Sequence, residues 1–150
     1  MSRATELFDL QRRVVVITGG AGFLGREFSH TLARAGAHVV VADLNGGAAE
    51  ALAAEVAKEY SVGALGFPTD VTQRESVEAL VGRTKNVFGR IDALVNGAAV
   101  DPKFDPEHAD EHAHTFEGYP LEAWWQSLNV DLTGAFLCAQ AVAPVLKQQN

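Results

Sequence analysis

Residues Val14 to Gly25, reading VVVITGGAGFLG, constrain this chain more than any other stretch. Four β-branched residues in a row, Val14, Val15, Val16 and Ile17, show no polar alternation, the pattern of a parallel strand covered on both faces. Glycines then fall at 19, 20, 22 and 25. Through Gly20, Gly22 and Gly25 the stretch satisfies G-x-G-x-x-G directly after a strand and at the opening of a helix. In that context such a loop cradles a dinucleotide pyrophosphate. Gly20 is expected to make the tight turn, Gly22 to leave space where backbone meets the anion, and Gly25 to let the helix lie close on the sheet. Free N–H groups at the positive end of that helix then hold the charge. Gly19, Gly20, Ala21, Gly22, Phe23, Leu24 and Gly25 are thus the first candidate site.

The rest of the chain alternates helices and strands. Phe23, Leu24, Phe28, Leu32 and Ala35 follow helical spacing up to a terminating Gly36, and HVVVA from His38 to Ala42 is a second strand with Asp43 at its tip. A carboxylate about 20 residues beyond the glycine loop can take both ribose hydroxyls of an adenosine and repel a 2′-phosphate. No Arg or Lys follows in LNGGAAE, so Asp43, with Leu44 beside it, points to NAD over NADP. The plainer alternative is that Asp43 or Asn45 caps the next helix. That helix runs from about Gly46 to Tyr60 with Leu52, Val56 and Tyr60 inward, and Ala64 to Phe67 is a third strand. Thr72 and Glu75 read as a capping box opening a helix whose inner stripe is Val77, Leu80, Val81, Thr84 and Phe88. Ala93 to Asn96 is a fourth strand.

Four strands and three helices in β-α-β units predict an α/β fold: a Rossmann-type doubly wound parallel sheet in the order 3-2-1-4, with right-handed crossovers. The switch point lies between strands one and four, flanked by the glycine loop and the Asn96-Gly97-Ala98-Ala99 turn. Beyond it, Leu121 to Gln149 reads as one long helix with Pro120 near its first turn. Trp124, Leu128, Leu132, Phe136 and Cys138 or Ala139 mark its apolar side, one tryptophan should pack in the core, and Pro144 should kink or end it.

Composition narrows the partners. The 150 residues, 47% apolar and 21% charged, suit one domain, and a formal charge of −7 argues against nucleic acid and anionic membrane surfaces. A lone cysteine, Cys138, reads as a buried small hydrophobe in a reducing compartment. No apolar run approaches the length of a membrane span and the first residues lack the hydrophobic core of a signal peptide, so the expected location is cytoplasmic. The segment from Val100 to Tyr119 is acidic, proline-bearing and aperiodic, a substrate-facing rim on the ligand side. Its His108, His112 and His114, beside Glu107, Asp110 and Glu111, could ligate zinc in principle. Acidic loops collect histidines without a metal, and no thiol or H-E-x-x-H arrangement supports one, so no metal is expected.

With these residues in place, the chain resembles the short-chain dehydrogenase/reductase family over nearly its whole length. The resemblance rests on Thr18-Gly19-Gly20-Ala21-Gly22-Phe23-Leu24-Gly25, Asp70-Val71, Asn96-Gly97-Ala98-Ala99 and Asn129-Val130-Asp131-Leu132-Thr133-Gly134. It implies that Asp70 contacts the adenine amino group with Val71 assisting through its backbone, that Asn96 with Gly97 and Ala98 steadies the cofactor side of strand four, and that Asn129 holds a relay water. It implies hydride exchange between NAD and a small alcohol or ketone such as a sugar or polyol, and a homo-oligomer formed through the 121–149 helix. The glycine spacing is more typical of the larger sugar-nucleotide branch, whereas Asp70-Val71 and NVDLTGAF look like the compact single-domain branch. The turn NGAA stands where NNAG is commoner. The family's Tyr-x-x-x-Lys pair is not found: Tyr60 is followed by SVGA and Tyr119 by PLEA. The expectation is therefore an N-terminal cofactor-binding part of a longer enzyme, inactive alone, with strand five beyond Asn150. A noncatalytic NAD-binding module and a sugar-nucleotide epimerase or dehydratase are the alternatives.

Overall fold

The computed structural model describes residues 9–100 and 116–149. The histidine-bearing part of the acidic loop, with His108, His112 and His114, lies outside the described residues. Four strands, β1 (Val14–Thr18), β2 (His38–Asp43), β3 (Ala64–Pro68) and β4 (Ala93–Asn96), form a parallel sheet in the order 3-2-1-4. Helices α1 (Phe23–Arg34), α2 (Gly46–Tyr60) and α3 (Arg74–Phe88) connect them.

Alternation along β1 and β2 divides the core between the two faces of the sheet. Val15, Ile17, Val39 and Val41 pack with Ala33, Ala49, Leu52, Ala53 and Val56 of α1 and α2. Val14, Val16, Val40 and Ala42 face the other way, onto Leu80, Ile91, Val142 and Val145. Burial on both sides is why β1 is apolar without interruption.

The α1 stripe departs from its sequence pattern. Gly25, Ser29 and Ala33 are its buried residues, while Phe23 and Leu24 are 87% and 63% exposed. A helix this close to the loop and sheet has room only for small side chains inward. Gly25 shows the limit: a Cβ there would meet the Gly19 carbonyl oxygen and lie 2.6 Å from Gly20 Cα. Its contact is therefore with the loop backbone before it reaches the sheet. The tight turn also shifts by one residue, since Gly19 has φ +62, while Gly20 is close-packed against Ile17 O and Val41 Cγ1. Thr72 and Glu75 form no capping box. The N-cap of α3 is Gln73, without a side-chain bond, because the Thr72 hydroxyl donates to Asp70 Oδ1 at 2.7 Å.

After the short 3₁₀ turn Phe116–Gly118, residues Leu121–Gln149 form one continuous helical rod of 29 residues. It comprises α4 (Leu121–Ser127), a π-helical segment (Leu128–Gly134) and α5 (Ala135–Gln149). Its inward face is Ala123, Gly134, Cys138, Val142 and Val145. Trp124, Trp125, Leu132 and Phe136 are exposed, so neither tryptophan is a core residue. The extra residue per π turn rotates the face after Leu128, which a stripe drawn at constant 3.6-residue period misses. Pro144 lies on the exposed side and the helix continues through it to Gln149. By length and composition this rod could cross a membrane, which corrects the sequence expectation that no stretch could. Its Cys138, Val142 and Val145 side is packed within the domain core.

Candidate dinucleotide site

The carboxyl ends of the strands open into a cleft of about 480 Å³ beside the β1/β4 switch point. Of the candidate cofactor residues, Gly19, Gly22, Phe23, Leu24, Gly25, Asp43, Leu44, Asp70, Val71, Gly97 and Ala98 line it. The described lining does not include Gly20, Ala21, Asn96 or Asn129. Thr69, Ala99, Val100, Gln126 and Val130 line it as well. Ala99 belongs to the turn expected to flank the switch point, Val100 opens the expected rim and Val130 stands in the motif that carries the resemblance, whereas Thr69 and Gln126 were missed because residues of ordinary type in a loop and a helix carry no motif.

Each wall is built from local chemistry. Gly22 is the N-cap of α1 and brings no side-chain cap, leaving the first-turn N–H groups beside the cleft without a side-chain partner among the described residues. The Asp43 carboxylate accepts from Ala21 N and Asn45 N, both at 3.0 Å, tying the glycine loop to the β2 tip. Asn45, not Asp43, caps α2, accepting from Ala48 N at 3.0 Å. A carboxylate with about four acceptor positions retains capacity after two such bonds. Asp70 accepts Thr72 N and the Thr72 hydroxyl on Oδ1, and Oδ2 has no partner among the described residues. An acceptor held still with one oxygen unengaged suits an exocyclic amine.

Thr18 is the organising residue that motif reading passed over as mere family signature. It is 1% exposed. Its hydroxyl accepts from Gly97 N at 3.2 Å and Ala98 N at 3.3 Å and donates to Val95 O at 3.4 Å. The β4 turn is thereby clamped to the end of β1, close enough that a Cβ on Gly19 would stand 2.7 Å from Ala98 Cα. The long helix seals the far side. Gly134 sits on Val71, where a Cβ would come within 2.6 Å of Val71 Cγ2, and Asp131 Oδ1 accepts from Val100 N at 2.9 Å. Asn129 is exposed. Asp131 thus adds a hydrogen bond between the π segment and the cleft wall.

A matching family model, described as short chain dehydrogenase, covers residues 13–150. The chain belongs to the short-chain dehydrogenase family. A short chain dehydrogenase/reductase of Aspergillus oryzae, astE, is 36% identical over 100% of this chain and 54% of its own length. D-threitol dehydrogenase of Mycolicibacterium smegmatis is 35% identical over 95% of the chain and 52% of its length. The solved structure of an NAD+-bound xylitol dehydrogenase superposes with a TM-score of 0.81 at 30% identity, over 93% of this chain and 50% of that one. The chain spans about half the length of the relatives it matches. These short-chain dehydrogenase relatives are oxidoreductases, which agrees with the family the sequence resembled.

Two clusters lie away from the cleft. At the other end of β1 and β4, burial works against the charge of Asp92. Hydrogen bonds from Arg90, the Val14 N–H and Arg13, with the Arg90 charge, outweigh it and hold the carboxyl down at about 2. On α1 and α2, His30, Glu55 and Glu59 gather donor atoms within 4.8 Å of one another. Nε2 of His30 faces Glu55 at 3.4 Å and Nδ1 faces Glu59 at 3.5 Å. The imidazole contacts both carboxylates, and exposed acidic groups gather in this way without an ion. Burial also pushes the Cys138 thiol up to about 11, which suits a packing residue.

Proposed function

We propose that this chain forms the NAD-binding part of an oxidoreductase that interconverts a small alcohol, polyol or sugar with its carbonyl counterpart. The observation that carries the cofactor preference is Asp43, a carboxylate at the β2 tip on the cleft wall. Its charge opposes a 2′-phosphate and its remaining acceptor capacity suits the ribose diol. Asp70 Oδ2 is suited to the adenine amine, and the free N–H groups of the α1 first turn to the pyrophosphate. When bound, the nicotinamide supplies or takes the hydride. The names of D-threitol dehydrogenase and xylitol dehydrogenase support a polyol-type substrate. The relay role for Asn129 draws no support from its exposed placement, so the reading rests on the cofactor residues.

Asp43 also holds Ala21 and Asn45, so removing it loosens the loop for any dinucleotide. The test is therefore a ratio: Asp43→Ala should weaken NAD by more than it weakens NADP in equilibrium titrations of the full-length protein. Equal losses for both would refute the assignment. A homo-oligomer formed through the rod is favoured by the exposed Trp124, Trp125, Leu132 and Phe136. Leu132→Glu with Phe136→Glu should lower the mass measured by light scattering, and an unchanged mass would rule this face out.

A further inference from the structure

Between β3 and α3 the chain holds Asp70 by its backbone and by its carboxylate. The Asp70 N–H donates to Ser76 Oγ at 2.9 Å, and its carbonyl oxygen accepts from Gln73 N at 3.1 Å. Thr72 N and the Thr72 hydroxyl both donate to Oδ1, at 2.9 and 2.7 Å. The residues on either side are fixed as well. Thr69 N donates to Asp43 O at 2.8 Å, and Val71 is buried in a cluster with Val77 and Cys138. Helix α3 takes no side-chain cap from Thr72, so its hydroxyl is left to serve the carboxylate.

Gln73 completes the arrangement, with Nε2 and Thr72 Oγ1 3.1 Å apart. An ionised carboxylate only accepts, so the single hydroxyl proton of Thr72 goes to Asp70 and the Gln73 amide must donate to the hydroxyl oxygen. The chain of donors runs one way, from Gln73 through Thr72 to Oδ1, and bonds in such a chain strengthen one another. Asp70 lines the cleft. With Oδ1 committed to Thr72, a ligand donor is met at Oδ2.

We infer that Thr72 is a positioning residue for base selection: its hydroxyl fixes the Asp70 carboxylate so that Oδ2 is presented to the exocyclic amine of adenine. The inference rests on the dinucleotide reading of the cleft, with adenine at Asp70. A carboxylate already held loses little side-chain freedom when the amine arrives, which favours binding. The same fixed acceptor opposes a base with a carbonyl oxygen at that place, because two acceptors then face each other. A carboxylate free to turn would relieve that clash and lose the discrimination.

The probe is nicotinamide hypoxanthine dinucleotide, whose base carries a carbonyl oxygen where adenine carries the amine. Calorimetric titration of full-length wild type, Thr72→Val, Thr72→Ser and Asp70→Ala with this analogue and with NAD gives a preference ratio for each protein. Thr72 is half-buried in a loop, so its variants should fold. Wild type should favour NAD, and Asp70→Ala should abolish the preference. Thr72→Val should reduce it about three- to tenfold, and Thr72→Ser should retain it. A loop that had merely loosened would weaken both dinucleotides alike, so an unchanged ratio in Thr72→Val overturns the inference, as does a serine variant that behaves like valine. If Asp70→Ala keeps the preference, or wild type shows none, the adenine contact assigned to Asp70 fails, and the role of Thr72 with it.

Discussion

Replacing Thr18 by valine keeps the shape of the side chain and removes its hydroxyl, which isolates the clamp between β1 and the β4 turn. Three hydrogen bonds disappear, at 3.2, 3.3 and 3.4 Å. Their lengths place each toward the weak end of the usual net range of about 0.5–1.5 kcal/mol. The larger cost is the N–H groups of Gly97 and Ala98 left pointing at a methyl. A buried orphan donor costs about 1–3 kcal/mol, but Gly97 is exposed and water recovers part of its bond. The sum is about 2–3 kcal/mol, less than the stability of a typical domain, so the variant should fold and melt about 5–10 °C lower. The Gly97–Ala98 wall should also drift from the cleft, weakening dinucleotide affinity severalfold. Urea melts and calorimetric titration of Thr18→Val beside Thr18→Ser give the answer, with serine near wild type. If valine matches wild type in both midpoint and affinity, the hydroxyl is not the clamp and the turn is held by packing alone.

Other consequences follow from the remaining contacts. Gly134→Ala should cost about 1–3 kcal/mol through overlap with Val71, and Gly134→Ala with Val71→Ala should recover part of it in a double-mutant cycle; strictly additive losses would separate the two sites. Asp131→Ala should free the Val100 amide and raise its hydrogen-exchange rate, whereas Asp131→Asn, which still offers Oδ1, should leave it protected; equal exchange in both variants would show that the bond does not form in solution. The folded Asp92 carboxyl lies below its unfolded value of about 3.9, so its contribution is present above that pH and is lost as pH falls toward about 2. Urea midpoints should show wild type losing about 2 kcal/mol more than Asp92→Asn between neutral pH and pH about 2, and parallel declines would remove Asp92 as the cause.

Where the chemistry of a short stretch decides the outcome alone, the reading from residues agrees with the structure. The β1 run, the strand at His38, the helix closed by Gly36 and the 3-2-1-4 order all belong to this class. They depend on period, β-branching and glycine punctuation within one segment, or on the few topologies open to alternating β and α units. The cleft residues Gly22 and Asp43 were legible for the same reason, since they stand at the beginning of a helix and the end of a strand, whereas Asp70, in the loop between β3 and α3, came from the family resemblance. The misplaced apolar residues also share one cause. Phe23, Leu24, Trp124 and Phe136 are large and apolar, and hydrophobicity alone sends them inward, whereas Gly25, Ser29 and Gly134 occupy the inner face.

Thus the amino-acid sequence by itself determined the strands, their parallel order and the glycine loop at the cleft, because these follow from local dihedral preference and apolar period. Only the tertiary structure decided which glycine makes the turn and that the Thr18 hydroxyl clamps the β4 turn. It also decided that Asp131, two residues past Asn129, reaches the cleft wall, and that Phe23, Trp124, Trp125 and Phe136 face outward. Each of those depends on how closely two backbones approach. The free space left between them, not the hydrophobicity of a residue, selects what can stand there.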